Sequence, residues 1–378
     1  MVAENFEAAG GSGVISTVSD AAISASLEAN GISEQRPQLE IPPVQAVGNP
    51  PTSGFSNDPI NTATGNFVEN EEDLRFEGGT ALLGWVRSYS SLSRRAGGHG
   101  PGWASLDGCG LRFEAEVAAW TLADGREVVF PRLGEGFDRA EHENFWLAGG
   151  EDGWTVTNNT GARWEFTGSG RPTSFTLTEG ATVLFDYDGA RLVGIRHVRG
   201  HEIAVEWDGD LIAAVRADDG RRVEYRYDEC GRLVEAAGPL GSRRYEWDEH
   251  DRLTDMISLE DGSEVARTTM SYTGGQSQPS RIVDGEGGRT DMVWDGTLLL
   301  EVTDPTGVRV RFDYDEHGDL VASTDAAGNT TRVVRDGSGR AVELIMPSGA
   351  TTRFAYDAAG LLTRRVDPDG AAWSYEYS

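Results

Sequence analysis

A repeat constrains this chain more than any other feature. An aromatic residue, usually followed by Asp, recurs at Tyr187, Trp207, Tyr227, Trp247, Tyr272, Trp294, Tyr314, Tyr356 and Tyr377, with Arg335 holding the place once; the steps are 20, 20, 20, 25, 22, 20, 21, 21 and 21 residues. A second comb runs beside it at Gly200, Gly220, Gly241, Gly262, Gly288, Gly307, Gly328, Gly349 and Gly370. Two residue classes keeping one period through the C-terminal half specify a tandem repeat. Within a unit the period falls to two: Val223, Tyr225 and Tyr227 alternate with Arg222, Glu224 and Arg226, and Val308, Val310, Phe312 and Tyr314 with Arg309, Arg311 and Asp313. That is a β-strand with one apolar and one charged face. Asp/Gly turns come next, as in Tyr227-Asp228-Glu229-Cys230-Gly231, and the glycine comb marks the turns between units. Each unit therefore reads as a β-hairpin, and the expected fold is all-β.

One short hairpin buries too little apolar surface to offset its ordering entropy, so the hairpins must stack into a common sheet. The sequence stops on the strand Ser374-Tyr375-Glu376-Tyr377-Ser378, where the next turn is due. The expectation is that these residues are a fragment of a longer chain and that an unpaired last strand seeks a partner.

Tyr-Asp-x-x-Gly-Arg-Leu at Tyr227 to Leu233, with relatives at Tyr187 to Leu192, Trp247 to Leu253, Tyr314 to Leu320 and Tyr356 to Leu361, resembles the YD repeat of Rhs proteins, shared with teneurins and the shell components of Tc toxins. Upstream, Asp58-Pro59-Ile60-Asn61-Thr62-Ala63-Thr64-Gly65-Asn66, Trp85-Val86-Arg87-Ser88-Tyr89-Ser90-Ser91 and Gly100-Pro101-Gly102-Trp103 resemble, in order and spacing, the domain preceding those repeats in bacterial Rhs proteins. The resemblance implies a sheet spiralling into a hollow shell around a toxic C-terminal polypeptide, with the N-terminal block plugging one end. It implies as partners the remainder of the shell and its toxin, and delivery into a competitor or host cell. No toxin region is present, nor the family's C-terminal Asp-Pro-x-Gly-Leu self-cleavage motif; Asp304-Pro305-Thr306-Gly307-Val308 and Asp367-Pro368-Asp369-Gly370-Ala371 read as ordinary inter-repeat turns.

The chain divides into four regions. Residues 1–56 form a flexible leader: Val14, Ile15, Val18, Ala22 and Ala25 share a loose helical face, then Pro37, Pro42, Pro43, Pro50 and Pro51 mark an extended linker. This leader is either a poorly ordered tail or a loading signal that meets a chaperone or secretion apparatus. Residues 57–106 are the plug-like block, with a strand over Leu82 to Tyr89 and a loop over Gly97 to Gly102 that packs back through Trp103. Residues 107–181 are irregular hairpins around Asp124-Gly125 and Asn159-Thr160-Gly161, with a further hairpin from Arg171 to Phe185. They are expected to run into the repeats of 182–378 as one continuous sheet from Leu111 onward.

Lys and Arg number 33 against 62 Asp and Glu, a formal net charge of −29. Such a surface repels phosphate backbones and anionic membranes, so neither nucleic acid nor a membrane span is an expected partner. Cys109 and Cys230 are too few for a disulfide framework, and a bridge between them stays open. Met1 to Glu7 lacks Lys, Arg and a following apolar run, unlike a secretory signal. The expected route is synthesis in the cytoplasm, then export by a specialised apparatus.

No catalytic, cofactor-binding or metal residue is expected. His197 and His201 are spaced i, i+4 but flank the turn Val198-Arg199-Gly200, and no third ligand is near. No Gly-x-Ser-x-Gly elbow, dinucleotide fingerprint, P-loop or EF-hand loop occurs, and Asn158 and Asn329 are chance glycosylation matches. The repeated aromatics serve as structural anchors. The alternative is a surface-associated YD-repeat protein whose exposed aromatics hold carbohydrate, and a third reading is an enzyme.

Overall fold

The structure, a computed structural model, describes residues 55–56, 60–61, 66–93, 95–140, 143, 145–178, 180–239, 241–357 and 362–376. The leader face at Val14 to Ala25, its prolines, the Tyr377 anchor and Leu361 lie outside them. Among the described residues the fold is all-β, and its only helical elements are two three-residue 3-10 turns. No helix of these residues is long and apolar enough to cross a membrane.

Twenty-three strands, from Phe145–Gly150 to Ala372–Ser374, form one antiparallel sheet in strict sequence order. Alternation puts Val310 and Phe312 inside, where they are buried, and leaves Arg309, Arg311 and Asp313 exposed. Cross-strand ion pairs knit the charged face, as between Arg353 and Glu343 (2.8 Å) or Arg311 and Glu301 (3.0 Å). Such exposed pairs contribute little each. The apolar face is the one that holds the sheet to the rest of the molecule.

The sheet is continuous from Phe145, not from Leu111. Strands Gly110–Phe113, Val117–Thr121, Glu127–Leu133 and Gly136–Phe137 form a separate four-stranded sheet. Trp120, Val128 and Phe130 bury against Val156 and Phe166 of the long sheet, and the rings of Trp120 and Trp164 lie 4.9 Å apart. These aromatic faces bury more apolar area by layering on the first strands than by extending their edge.

The upstream block has its own small sheet of Val68–Arg75, Gly84–Ser90 and Trp103–Ala104. The strand anticipated over Leu82 to Tyr89 thus begins at Gly84. Phe67, Leu74, Leu83 and Trp85 are buried in one cluster with Ile195, Ile203, Val215, Leu233 and Phe312 of the repeats. The block therefore sits on the anchor face of the sheet.

The Asp residues fix the turns. Asp228 Oδ1 accepts the amides of Cys230 and Arg232, Asp304 Oδ1 those of Thr306 and Val308, and Asp336 Oδ1 those of Ser338 and Arg340. The frame then demands a positive φ three residues after Asp, met by Gly231 (78°) and Gly307 (84°). This corrects one tooth of the comb. After Asp284 the positive φ falls on Gly287 (84°), while the amide of Gly288 donates to Asp284 Oδ1. Asp251 stands at the glycine position of its own turn with φ 60°.

Candidate functional site: an arginine clamp between block and sheet

Every repeat among the described residues carries a register shift immediately before its anchor, as between Asp186 and Tyr187, Glu206 and Trp207, or Asp313 and Tyr314. A bulge of this kind disrupts the ladder and leaves a backbone group without its regular partner. The side chains of the next unit supply one. Trp207 Nε1 donates to the Leu192 carbonyl (2.8 Å), Tyr227 Oη to Ile212 (2.8 Å), Trp247 Nε1 to Leu233 (2.8 Å) and Tyr272 Oη to Leu253 (2.6 Å). Further along, Trp294 reaches Pro279 (2.9 Å), Tyr314 reaches Leu299 (2.9 Å) and Tyr356 reaches Ala341 (2.8 Å).

The acceptor is in each case the residue paired with the preceding anchor: Leu192 with Tyr187, Ile212 with Trp207, Leu299 with Trp294. Arg335 is no gap in this series, because its Nε and Nη2 donate to the Leu320 carbonyl at 3.3 and 3.1 Å. What the position requires is a donor of the right reach, and an indole, a phenol or a guanidinium supplies it. Burial raises the pKa of Tyr227, Tyr272 and Tyr314, and pushes Tyr356 up to about 12, so these phenols keep their protons at neutral pH. With their polar atoms committed to backbone, the anchors are ill-placed to hold a sugar.

The Arg of the repeat motif has a matching role. Arg232, Arg252 and Arg340 each donate Nε to the Oδ2 of the Asp four residues earlier, at 2.7 Å. Arg252 and Arg340 also lie over the next anchor's ring, 4.5 Å from Tyr272 and 5.2 Å from Tyr356. The first anchor, Tyr187, lies under Arg171 at 4.9 Å.

Where the block meets the repeats, one charged group is wholly enclosed. Strand alternation puts Arg87 on the same face as Trp85 and Tyr89, and its exposure is 0%. It grips Asp73 on the neighbouring strand with two bonds, Nε to Oδ2 (2.6 Å) and Nη2 to Oδ1 (2.9 Å). The repeats close the cage: Tyr225 Oη donates to Asp73 Oδ2 (2.5 Å), and Arg87 Nη2 donates to Tyr245 Oη (3.2 Å). The guanidinium carbon lies 4.7, 5.3 and 5.7 Å from the rings of Trp103, Tyr225 and Tyr245. Burial works against the charge, yet Tyr245 and Asp73 outweigh it and hold the Arg87 pKa well above the ordinary value. The site is thus a guanidinium that keeps its charge, held by a carboxylate among aromatic faces, the geometry in which cation–π contacts count most.

Beside it, the loop Gly97 to Gly102 threads into the sheet. The Gly98 carbonyl accepts the Ile212 amide (2.7 Å) and Tyr227 Oη (3.3 Å). A Cβ on Gly100, whose φ is 82°, would lie 2.2 Å from the Gly231 carbonyl, so only glycine admits this approach. His99 is buried, accepts Trp85 Nε1 at Nε2 (3.2 Å), and stands edge-on to Tyr225 with centroids 4.5 Å apart. Burial and the nearby Arg87 charge keep its pKa well below the usual imidazole value. At the rim, Arg221 Nη1 donates to the Arg75 carbonyl (2.7 Å) and Phe76 stacks on His201 at 4.4 Å.

The remaining singled-out residues fall elsewhere. His197 Nδ1 accepts the Arg199 amide and His201 Nδ1 faces Asp218 at 3.1 Å, so each has a partner of its own. Among the described residues no three His, Cys, Asp or Glu side chains gather as a metal site would need. Cys109 and Cys230 are both free thiols, and Cys230 is exposed. Asp304 caps its turn, whereas Asp367 accepts Arg365 Nε (2.8 Å) and Trp373 Nε1 (3.1 Å) and leaves the Ala371 amide to Asp369 Oδ1 (2.9 Å). Reading the sequence missed Asp73, Arg87, His99, Tyr225 and Tyr245 as one constellation; the signal it offered was the period-two placement of Arg87 between Trp85 and Tyr89.

A family model described as RHS Repeat matches residues 208–243, 294–331, 325–372 and 356–378. The chain is an Rhs/YD-repeat protein. A second model, a domain of unknown function (DUF6531), matches residues 57–130, which hold Asp73, Arg87 and His99 of this Rhs chain's clamp and part of the four-stranded sheet. Two similar curated proteins come from Dickeya dadantii (strain 3937). "Probable deoxyribonuclease RhsB" is 25% identical over 319 residues, covering 71% of the Rhs chain and 21% of the relative. "Probable deoxyribonuclease RhsA" is 26% identical over 228 residues, covering 53% and 15%. The Rhs chain thus spans about a fifth or less of these relatives. Solved structures similar to it include TcdB2-TccC3-TEV (TM-score 0.44, 11% identity, 85% of this chain and 20% of that one). A Photorhabdus luminescens Tc holotoxin pore is also similar (TM-score 0.30, 12% identity, 84% and 23%).

Proposed function

We propose that this Rhs chain is the N-terminal part of a shell that encloses a C-terminal toxin and carries it for delivery into a competitor or host cell. Its own part in that work is structural and non-enzymatic. The observation that carries the reading is the seating of the block on the anchor face of the repeat sheet through a sealed Arg87–Asp73 pair. A module fastened this way closes the inward side of a sheet whose other side is charged and solvated. On this proposal the deoxyribonuclease in the relatives' names belongs to the part of those proteins that this chain does not match, which is most of their length. Production in the cytoplasm and exit through a specialised apparatus, with residues 1–56 as the contact to it or to a chaperone, complete the proposal.

The test is intact mass with peptide mapping of the endogenous product in its native cell. A chain, or tightly held fragments, continuing through more repeats to a separate C-terminal polypeptide is expected. A native product that ends at Ser378 and binds no such polypeptide would overturn the carrier role.

A further inference from the structure

A sheet of near-identical hairpins offers a docking module the same face again and again. The bulge, the anchor and the acceptor carbonyl recur every two strands, so the backbone contacts of the block have equivalents one repeat away: Ile212, which receives Gly98, corresponds to Leu233 in the next unit, each paired with its own anchor. A contact set built on repeated features does not by itself choose one repeat over its neighbour.

The buried side chains do choose. Two residues before each anchor, the inward position holds Phe185, Val205, Tyr225, Tyr245, Met270, Met292, Phe312, Val333 and Phe354 in turn. Only Tyr225 and Tyr245 bring hydroxyls there on two consecutive repeats, the one other tyrosine at this place being the exposed Tyr375 before the last anchor, and these are the two hydroxyls that bond Asp73 and Arg87. If the block moved one repeat forward, the place of Tyr245 would fall to Met270; if it moved one back, the place of Tyr225 would fall to Val205. Either way a buried charged group loses a bond that nothing apolar replaces. The rim contacts discriminate less, because the side chains of Arg221 and His201 remain 33% and 45% exposed and their interactions are screened.

We infer that Tyr225 and Tyr245 are the register key of the sheet: a paired-hydroxyl surface that accepts the Asp73–Arg87 pair of the block on these two repeats and rejects it on the others. The key concerns how the chain is put together and stands whether or not a toxin is carried.

The test replaces Tyr225 and Tyr245 by Phe, singly and together, which keeps the rings and removes only the hydroxyls. With Cys109→Ser and Glu77→Cys, spin labels on position 77 of the block and on the exposed native Cys230 report the distance between block and sheet. A slip of one repeat moves the block by two strands, about 10 Å. In the double variant a second distance population is expected, with amide exchange in strand Gly84–Ser90 faster by about tenfold per hydroxyl removed. Unchanged distances and exchange would overturn the key and leave the block's place to its other contacts, aromatic packing and the Arg243–Glu71 pair (3.3 Å) among them. Faster exchange with one unchanged distance would also overturn it, since the hydroxyls would then set tightness and not position.

Discussion

A repeat anchor is defined by what its tip reaches. Tyr, Trp and Arg side chains of different shape all close on the carbonyl opposite the previous anchor, which explains why Arg335 is tolerated in an aromatic series. Tyr314→Phe keeps the ring and strands the Leu299 carbonyl, so a loss of about 1–2 kcal/mol in stability is expected by urea denaturation. A residue-scale pH effect comes from His99. Its folded pKa lies well below the unfolded value of about 6.5, so beneath that pH the unfolded chain binds a proton that the folded one refuses. Stability is therefore whole above about pH 6.5 and falls on acidification, by up to about 1.4 kcal/mol per pH unit, until the folded pKa is reached. Denaturation midpoints between about pH 7 and 5 should show this slope, and His99→Gln should flatten it.

At the scale of elements, the hairpins were legible because their chemistry repeats. Alternation gave the strands, and Asp with Gly gave the turns. The Gly288 tooth failed because two glycines adjoin and only the spacing from Asp284 decides which one turns left-handed. The four-stranded sheet was missed because Val117–Thr121 and Glu127–Leu133 alternate like any strands; nothing local tells whether such a strand extends a sheet or layers on it. The clamp hid for a related reason. A charged residue between Trp85 and Tyr89 reads as solvated until a tyrosine more than a hundred positions later covers it. Gly307→Ala, forced to keep φ at 84°, should cost about 1 kcal/mol or more, seen as a lowered melting temperature.

For the molecule as a whole, stability is a sum over neighbouring units with the long-range seat of the block added to it. In Arg87→Met the Asp73 carboxylate stays buried with half its partners gone, a loss of about 3–5 kcal/mol. In a repeat protein this loss should stay local. Hydrogen exchange should quicken in Val68–Arg75 and Gly84–Ser90 while Arg309–Tyr314 keeps its protection; uniform loss of protection would show instead that the sheet depends on its block.

The reach of the anchors also has a direction. From Trp207 to Tyr356 each one bonds a carbonyl nearer the N-terminus, as Tyr356 does to Ala341 and Trp207 to Leu192. A ribosome delivers residues in that same order, so every hairpin leaving the tunnel finds its acceptor already made and can lock before the next hairpin emerges. The block alone is born early and served late, since Arg87 emerges long before Tyr225 and Tyr245 exist to enclose it. Growth from one end, with a single guest held open until its seat arrives, is the assembly order written into those hydrogen bonds.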